Sequence, residues 1–172
     1  CYWLKVYEIP EENTNSRCRA IQNMLNIDAD DAVNAFVRVT TLADKNFIES
    51  HNIVFCTKNG IIKKTSLEQY SRPRTNGIIA ISIREDDRVI SVALTDGDCD
   101  IIMANRGGKA VRFNESKVRA MGRTATGVKG MELEENDEVV GMVVLPKNDD
   151  AQHSLLVLSE QGVGKRSAVD EY

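Results

Sequence analysis

Ile53-Val54-Phe55-Cys56-Thr57-Lys58-Asn59-Gly60-Ile61-Ile62-Lys63-Lys64-Thr65 reads as a β-hairpin. A β-branched apolar run leads into Asn59-Gly60, a dipeptide suited to the positive φ of a tight turn, and a basic strand returns. The cassette recurs as Ile101-Ile102-Met103-Ala104-Asn105-Arg106-Gly107-Gly108-Lys109-Ala110-Val111-Arg112-Phe113. It recurs again as Leu155-Leu156-Val157-Leu158-Ser159-Glu160-Gln161-Gly162-Val163-Gly164-Lys165-Arg166-Ser167. The turn glycines stand at 60, 108 and 162, intervals of 48 and 54. A second cassette, Gly77-Ile78-Ile79-Ala80-Ile81-Ser82-Ile83 leading to Asp87-Arg88-Val89-Ile90-Ser91-Val92, lies between them. It returns as Gly127-Val128-Lys129-Gly130-Met131-Glu132-Leu133 leading to Asp137-Glu138-Val139-Val140-Gly141-Met142. Asp31-Ala32-Val33, after Leu25-Asn26-Ile27, is a weaker early copy.

Each unit of about 50 residues thus holds four short runs separated by turns such as Asn59-Gly60 and Asp96-Gly97. None has a sustained 3.6-residue period, so helix is nearly absent by this reading. The expected fold is all-β: a propeller-like arc of repeated four-stranded antiparallel blades, about three and a half of them. The approximate repeats are 1–50, 51–98, 99–152 and 153–172. A closed ring takes at least about four blades, so an arc or completion by a partner chain is expected. Cys1-Tyr2-Trp3-Leu4-Lys5-Val6-Tyr7 reads as a strand from the first residue, as in a piece of a longer protein.

Of 172 residues, 42% are hydrophobic and 28% charged, the composition of a folded domain rather than a disordered tail. No apolar run approaches the ~20 residues that span a bilayer. The cysteines (Cys1, Cys18, Cys56, Cys99) are scattered, with no C-x-x-C pair, which argues against structural zinc. Cys56, inside an apolar run, reads as a small buried hydrophobe. Nothing points to an oxidising compartment, and the default location is cytoplasmic.

The net charge of −4 argues against a polyanionic partner, but its distribution argues for one. Residues 106–130 carry Arg106, Lys109, Arg112, Lys117, Arg119, Arg123 and Lys129 against Glu115 alone, a net +6. Residues 58–74 carry Lys58, Lys63, Lys64, Arg72 and Arg74 against Glu68, a net +4. Residues 131–150 net −6. Equivalent positions of successive repeats point the same way, so the basic stretches, with Lys165 and Arg166, are expected along one rim. Such a track suits a DNA backbone: Lys and Arg neutralise phosphates without reading sequence. The competing reading is solvated strand ends. Aromatics, at 5%, are too few for stacking on single strands.

No self-contained catalytic site is visible. The histidines, His51 and His153, each precede a hairpin strand by two residues, a repeated place that reads as structural. Tyr70 and Tyr172 each follow a turn glycine by ten residues and read as packing groups. Arg106-Gly107-Gly108-Lys109 is followed by no helix pattern, which excludes a P-loop. Asp86-Asp87 and Asp96-Gly97-Asp98 lack EF-hand spacing and read as turns, so no metal site is expected.

Four motifs carry a resemblance: Tyr2-Trp3-Leu4-Lys5-Val6-Tyr7-Glu8-Ile9-Pro10, Asn59-Gly60-x-x-Lys63-Lys64-Thr65, Val118-Arg119-Ala120-Met121-Gly122-Arg123-x-x-Thr126-Gly127-Val128 and Gly164-Lys165-Arg166-x-Ala168-Val169-x-Glu171-Tyr172. The chain resembles, over essentially its whole length, the C-terminal domain of the bacterial DNA gyrase A protein. The related domain of the corresponding topoisomerase IV protein is similar in kind. The resemblance implies a β-pinwheel of six blades with strands exchanged between neighbours, whose basic outer rim bends duplex DNA to support negative supercoiling. The family's wrapping motif, Gln-Arg-Arg-Gly-Gly-Lys-Gly, belongs just upstream of Cys1 and is not in this sequence. The cleavage tyrosine belongs to the N-terminal region of the gyrase A protein.

The resulting expectation is a non-catalytic DNA-wrapping piece without a cofactor of its own. ATP and Mg2+ would act through other domains of the parent topoisomerase. Expected phosphate contacts are Lys63, Lys64, Arg72, Arg74, Arg106, Lys109, Arg112, Lys117, Arg119, Arg123, Lys129, Lys165 and Arg166. Expected partners are double-stranded DNA and, in the parent complex, the N-terminal region of the gyrase A protein and the gyrase B protein, in the bacterial cytoplasm at the chromosome. Open blade edges expose the fragment to self-association. A propeller-like protein-interaction module is the alternative of a different class.

Overall fold

In a computed structural model the chain is described over residues 1–11, 13, 19–25, 27, 31–147 and 153–172. Cys18 lies outside these residues. Three hairpins form the frame. The first pairs β1 (Asn52–Thr57) with β2 (Ile61–Ser66), Val54 standing opposite Lys64. The second pairs β4 (Cys99–Asn105) with β5 (Ala110–Asn114), Ile102 opposite Arg112. The third pairs β8 (Ser154–Leu158) with β9 (Gly164–Ala168), Leu156 opposite Arg166. The turn glycines take left-handed φ values of 79°, 86° and 79° at Gly60, Gly108 and Gly162, a conformation that side chains with a Cβ resist.

The remaining strands show how the units interlock. β3 (Val89–Thr95) lies beside β1, and β7 (Val139–Pro146) lies beside β4, both antiparallel. The short β6 (Val128–Lys129) follows the second hairpin in sequence yet pairs with β2 of the first, Val128 opposite Ile62. The first sheet therefore runs β3-β1-β2-β6 and the second β5-β4-β7. The first sheet is the expected four-stranded antiparallel blade, and its fourth strand is lent by the next unit.

Alternation along β1 divides the core. Ile53 and Phe55 point to one face, into a cluster with Leu67 and Tyr70 that Trp3, Val37, Val39 and Leu42 flank. Val54 and Cys56 point to the other, where they meet Ile101, Met103, Val118 and Val139 of the second blade. With both faces covered, β1 reads as a continuous apolar run rather than an alternating one.

Two expectations are corrected. Cys1–Tyr7 is not a strand: Cys1 exchanges main-chain hydrogen bonds with Ile78 (2.8 and 2.9 Å), and Val6–Glu8 turns into a 3-10 helix. The stretch 77–83 is not a regular strand either, its main-chain bonds to distant backbone being Ile78 to Cys1 and Ser82 to Ala125. Helix is nearly absent among the described residues, as expected: α1 (Lys45–Ser50) is one short turn-and-a-half, started by Asp44, whose carboxylate accepts from the Asn46 amide at 2.9 Å.

Candidate nucleic-acid interface

Register sorts the basic residues by direction. In β2 the odd positions face back, and Lys63 lies fully buried with its ammonium 5.5 Å from the centre of the Phe55 ring. Its Nζ donates to the Ala80 carbonyl at 2.6 Å and to the Arg123 carbonyl, while the Tyr70 hydroxyl donates to the same Ala80 oxygen. No carboxylate pairs with Lys63 among the described residues, and burial, reinforced by Arg123, pushes its pKa down to about 8. Lys64, one residue on, faces forward and donates to the Glu115 carbonyl at 2.7 Å. Arg112, its counterpart in β5, holds Asp100 through Nε and a terminal nitrogen (3.0 and 2.9 Å) and donates to the Val169 carbonyl at 3.0 Å. Lys63 and Lys64 are thus core groups, and Arg112 is committed to protein partners. The expectation that Lys63 and Lys64 contact phosphate is withdrawn, since burial removes both from a solvent-facing track, and Arg112 is held by Asp100 and the Val169 carbonyl instead.

Four of the exposed cations expected to meet phosphate are paired with acids. Arg106 lies 3.7 Å from Glu160, Lys109 pairs with Glu134, Lys129 with Glu132 at 2.7 Å, and Lys165 with Glu171 at 3.4 Å. Exposed pairs of this kind are weak and screened by salt, so these cations remain available to a stronger anion. Arg72, Arg74, Lys117, Arg119 and Arg166 are exposed with no acid bound among the described residues. Arg123 is half-buried, with its guanidinium 3.4 Å from the Ile79 carbonyl.

Arg72, Arg74 and Arg123 come together. With Gln69, Ser71, Glu68 and Ile78 they line an open groove of about 520 Å³. Arg72 and Arg74 come from the loop that leaves the first blade, Arg123 from the corresponding loop of the second. Gln69 fixes their relation by accepting the Arg123 amide at 3.0 Å, and Lys63 holds the Arg123 carbonyl from below. Three arginines stand against one carboxylate among the groove's lining residues, and guanidinium groups are planar, multidentate donors. Lys117 and Lys129 line a smaller groove of about 170 Å³ beside Val128.

The acidic clusters serve the frame. Asp87 accepts the Asn59 and Arg88 amides (2.9 and 2.8 Å), and Asp137 accepts those of Gly107 and Glu138 (3.1 and 2.8 Å). Asp96, Cys99 and Glu115 lie within 4.8 Å of one another. Their atoms are engaged already: Asp96 takes the Cys99 thiol, and Glu115 takes the Gly97 and Cys99 amides. Burial pushes the Cys99 thiol up to about 12. His51 stacks on Phe47 at 3.9 Å with its Nδ1 2.9 Å from the Phe47 carbonyl and 3.0 Å from the Ser50 hydroxyl. Its main-chain oxygen accepts from Leu67 as that of His153 accepts from Val169.

Sequence reasoning missed Glu115, which counts there only as a stray negative charge. It is fully buried and accepts from Thr95, Gly97 and Cys99. The signal was its place in the repeat, which is apolar in the sister units (Leu67 and Val169).

Comparison with known proteins bears on this arrangement. Residues 51–96, 100–146 and 153–172 match the family described as DNA gyrase C-terminal domain, beta-propeller. The chain belongs to the DNA gyrase C-terminal domain family. The DNA gyrase A protein of Salmonella typhimurium is 41% identical over 171 residues, which cover 99% of this chain and 18% of that protein. The DNA gyrase A protein of Staphylococcus aureus is 42% identical, with 99% and 19% covered. This gyrase-family chain thus spans under a fifth of those relatives' length. Among solved structures, the C-terminal domain of a DNA topoisomerase IV superposes with a TM-score of 0.81 at 29% identity, over 97% of this chain and 50% of that one. A DNA gyrase A C-terminal domain superposes at 0.78 with 25% identity, over 98% and 51%. The all-β pinwheel reading holds. Among the described residues no helix is long and apolar enough to cross a membrane.

Proposed function

We propose that this gyrase-family chain binds double-stranded DNA through its phosphates, without sequence preference, and bends it as one part of a type II topoisomerase. The observation that carries the reading is the groove where Arg72, Arg74 and Arg123 converge from successive units with Glu68 as the one acid among its lining residues. Lys117 and Arg119, exposed and unpaired among the described residues, extend the cationic surface along the second unit's loop. Arg106, Lys109, Lys129 and Lys165 join it by exchanging carboxylates for phosphates. Bending duplex over a short arc costs on the order of 1–6 kcal/mol, offset by phosphate contacts along the path. In this reading the catalytic groups, ATP and Mg2+ belong to other parts of the parent enzyme. The partners are the N-terminal region of the gyrase A protein and the gyrase B protein, and the location is the bacterial cytoplasm at the chromosome. The likeness to a topoisomerase IV domain supports the sister enzyme as the second reading.

The test is a salt titration of binding to plain linear duplexes of increasing length. Affinity should grow with length, and log K should fall linearly with log salt. Reversing Arg72, Arg74 and Arg123 to Glu together should lower that slope by about three, one per lost contact. An unchanged slope overturns the assignment of the groove and leaves the interaction-module reading.

A further inference from the structure

The basic residue at the centre of each of the first two hairpins performs the same task. Lys64, Arg112 and Arg166 hold the middle register position of their hairpins, opposite Val54, Ile102 and Leu156. Lys64 donates to the carbonyl of Glu115, the first residue of the 3-10 turn (Glu115–Lys117) of the next unit. Arg112 donates to the carbonyl of Val169, the first residue of the 3-10 turn (Val169–Glu171) of the unit after that. Lys and Arg differ in shape, yet each reaches the same main-chain oxygen one unit ahead. Residues 1–3 extend the series backwards. Cys1 exchanges bonds with Ile78 where Ile62 pairs with Val128, which puts Trp3 at the Lys64 position. Trp3 packs on the cluster containing Leu67, the first residue of its own following 3-10 turn (Leu67–Tyr70).

Arg166 is the member left over, exposed and without a partner among the described residues. Its hairpin neighbours behave in the same way. Val54 and Ile102, on the forward face of the first two hairpins, are 0% and 2% exposed, whereas Leu156 is 61% exposed and Leu158 66%. The two superposed domains are about twice the length of this chain, so folds of this kind carry units beyond the third.

We propose that Arg166 is a unit-to-unit clamp rather than a DNA contact: its guanidinium donates to the carbonyl that opens the 3-10 turn of a further unit of the same repeat, docked over Leu156 and Leu158. The occupant is defined by chemistry: the carbonyl that opens a 3-10 turn, which accepts the turn's own closing amide (Val118 to Glu115, Tyr172 to Val169) and offers its second lone pair to the basic side chain, beside an apolar face. Arg166 thereby joins Lys64 and Arg112 in a class of basic residues that phosphate does not use.

The experiment is carried out on the intact protein containing this chain, with Arg166→Ala and Arg166→Lys. Two quantities are read: hydrogen exchange across the 3-10 turn of the unit that follows Tyr172, and the salt slope of duplex binding. The Ala variant should exchange at least tenfold faster in that turn with an unchanged slope. The Lys variant should restore protection, since Lys64 already makes this bond. Unaltered exchange in the Ala variant overturns the clamp, as does a slope lowered by about one, which marks a lost phosphate contact. The exchange readout stands independently of the DNA-binding reading, so failure of one does not decide the other.

Discussion

Lys64 and Glu115 form a buried charge pair across the boundary between the first and second blades, Nζ lying 3.7 Å from Oε2. The lysine also donates to the Glu115 main-chain oxygen, and the carboxylate accepts the Thr95 hydroxyl at 2.8 Å and the Gly97 and Cys99 amides at 3.0 and 2.9 Å. One side chain thus ties together the β3–β4 turn, the start of β4 and the preceding blade. Removing only one partner leaves the other buried and uncompensated, a change worth about 3–5 kcal/mol.

Glu115→Ala should therefore lower stability in urea by about that amount. Lys64→Met combined with Glu115→Leu should recover most of it, because Leu67 and Val169 fill the same place in the sister units. A double variant no more stable than Glu115→Ala shows that the amide contacts, rather than the charge pair, dominate.

Lys63 gives a pH signature of opposite character. Its native pKa, about 8, lies below the ordinary lysine value of 10.5 because burial disfavours the ammonium. Between those values the unfolded chain binds more protons than the native one, so this group makes stability rise with pH from about 8 to 10.5. The contribution approaches about 1.4 kcal/mol per pH unit at its steepest. Urea unfolding of the native sequence and of Lys63→Met, compared over pH 7 to 10, isolates it: the difference should shift in favour of the native sequence as pH rises. A difference independent of pH removes the buried ammonium.

The paired exposed cations supply a test of charge availability. Lys129 and Lys109 are held by Glu132 and Glu134, and the hydrogen bond from Lys129 keeps the Glu132 carboxyl below its usual range. Glu132→Gln with Glu134→Gln should raise duplex affinity several-fold at low salt, and the gain should shrink towards zero as salt approaches 1 M. Equal affinity at low salt would show that neither lysine lies on the DNA path.

What was legible in the sequence follows from where repetition carries information. The hairpins were readable because Ile53-Val54-Phe55-Cys56 and its copies are short apolar runs closed by positive-φ glycines. The lending of β6 to the first blade was not readable from periodicity, since two residues, Val128 and Lys129, decide it; the family resemblance supplied that feature. Charge was read by count, and count does not distinguish Lys64, under a neighbouring blade, from Arg72, in open solvent. A strand facing a second blade puts every other side chain inside, so Lys63 and Lys64 were both lost as rim residues once both faces of β2 proved covered. Glu115 escaped for the converse reason: a lone acid in a basic stretch looks like a solvated residue until its amide donors are placed around it.

The strand exchange itself depends on a glycine. Gly127, just before β6, takes φ +113°, and a Cβ there would stand 2.7 Å from the Ile61 methyl and from the Ile62 main-chain oxygen. Neither neighbour can yield, because both belong to the strand that β6 pairs with. Gly122, five residues earlier in the same loop, has nothing within 4 Å of a built Cβ and lies outside the left-handed region. Gly127→Ala should cost about 1–3 kcal/mol from backbone strain alone, with the clash added to it. It should also speed amide exchange at Val128 and at Ile62, whose strands it separates. Gly122→Ala should be neutral or stabilising by up to about 1 kcal/mol, since it only restricts the unfolded chain. The pair is read by urea unfolding together with residue-level hydrogen exchange. Equal effects at the two glycines would show that β6 is held by the loop as a whole, and not by its close approach to Ile61 and Ile62.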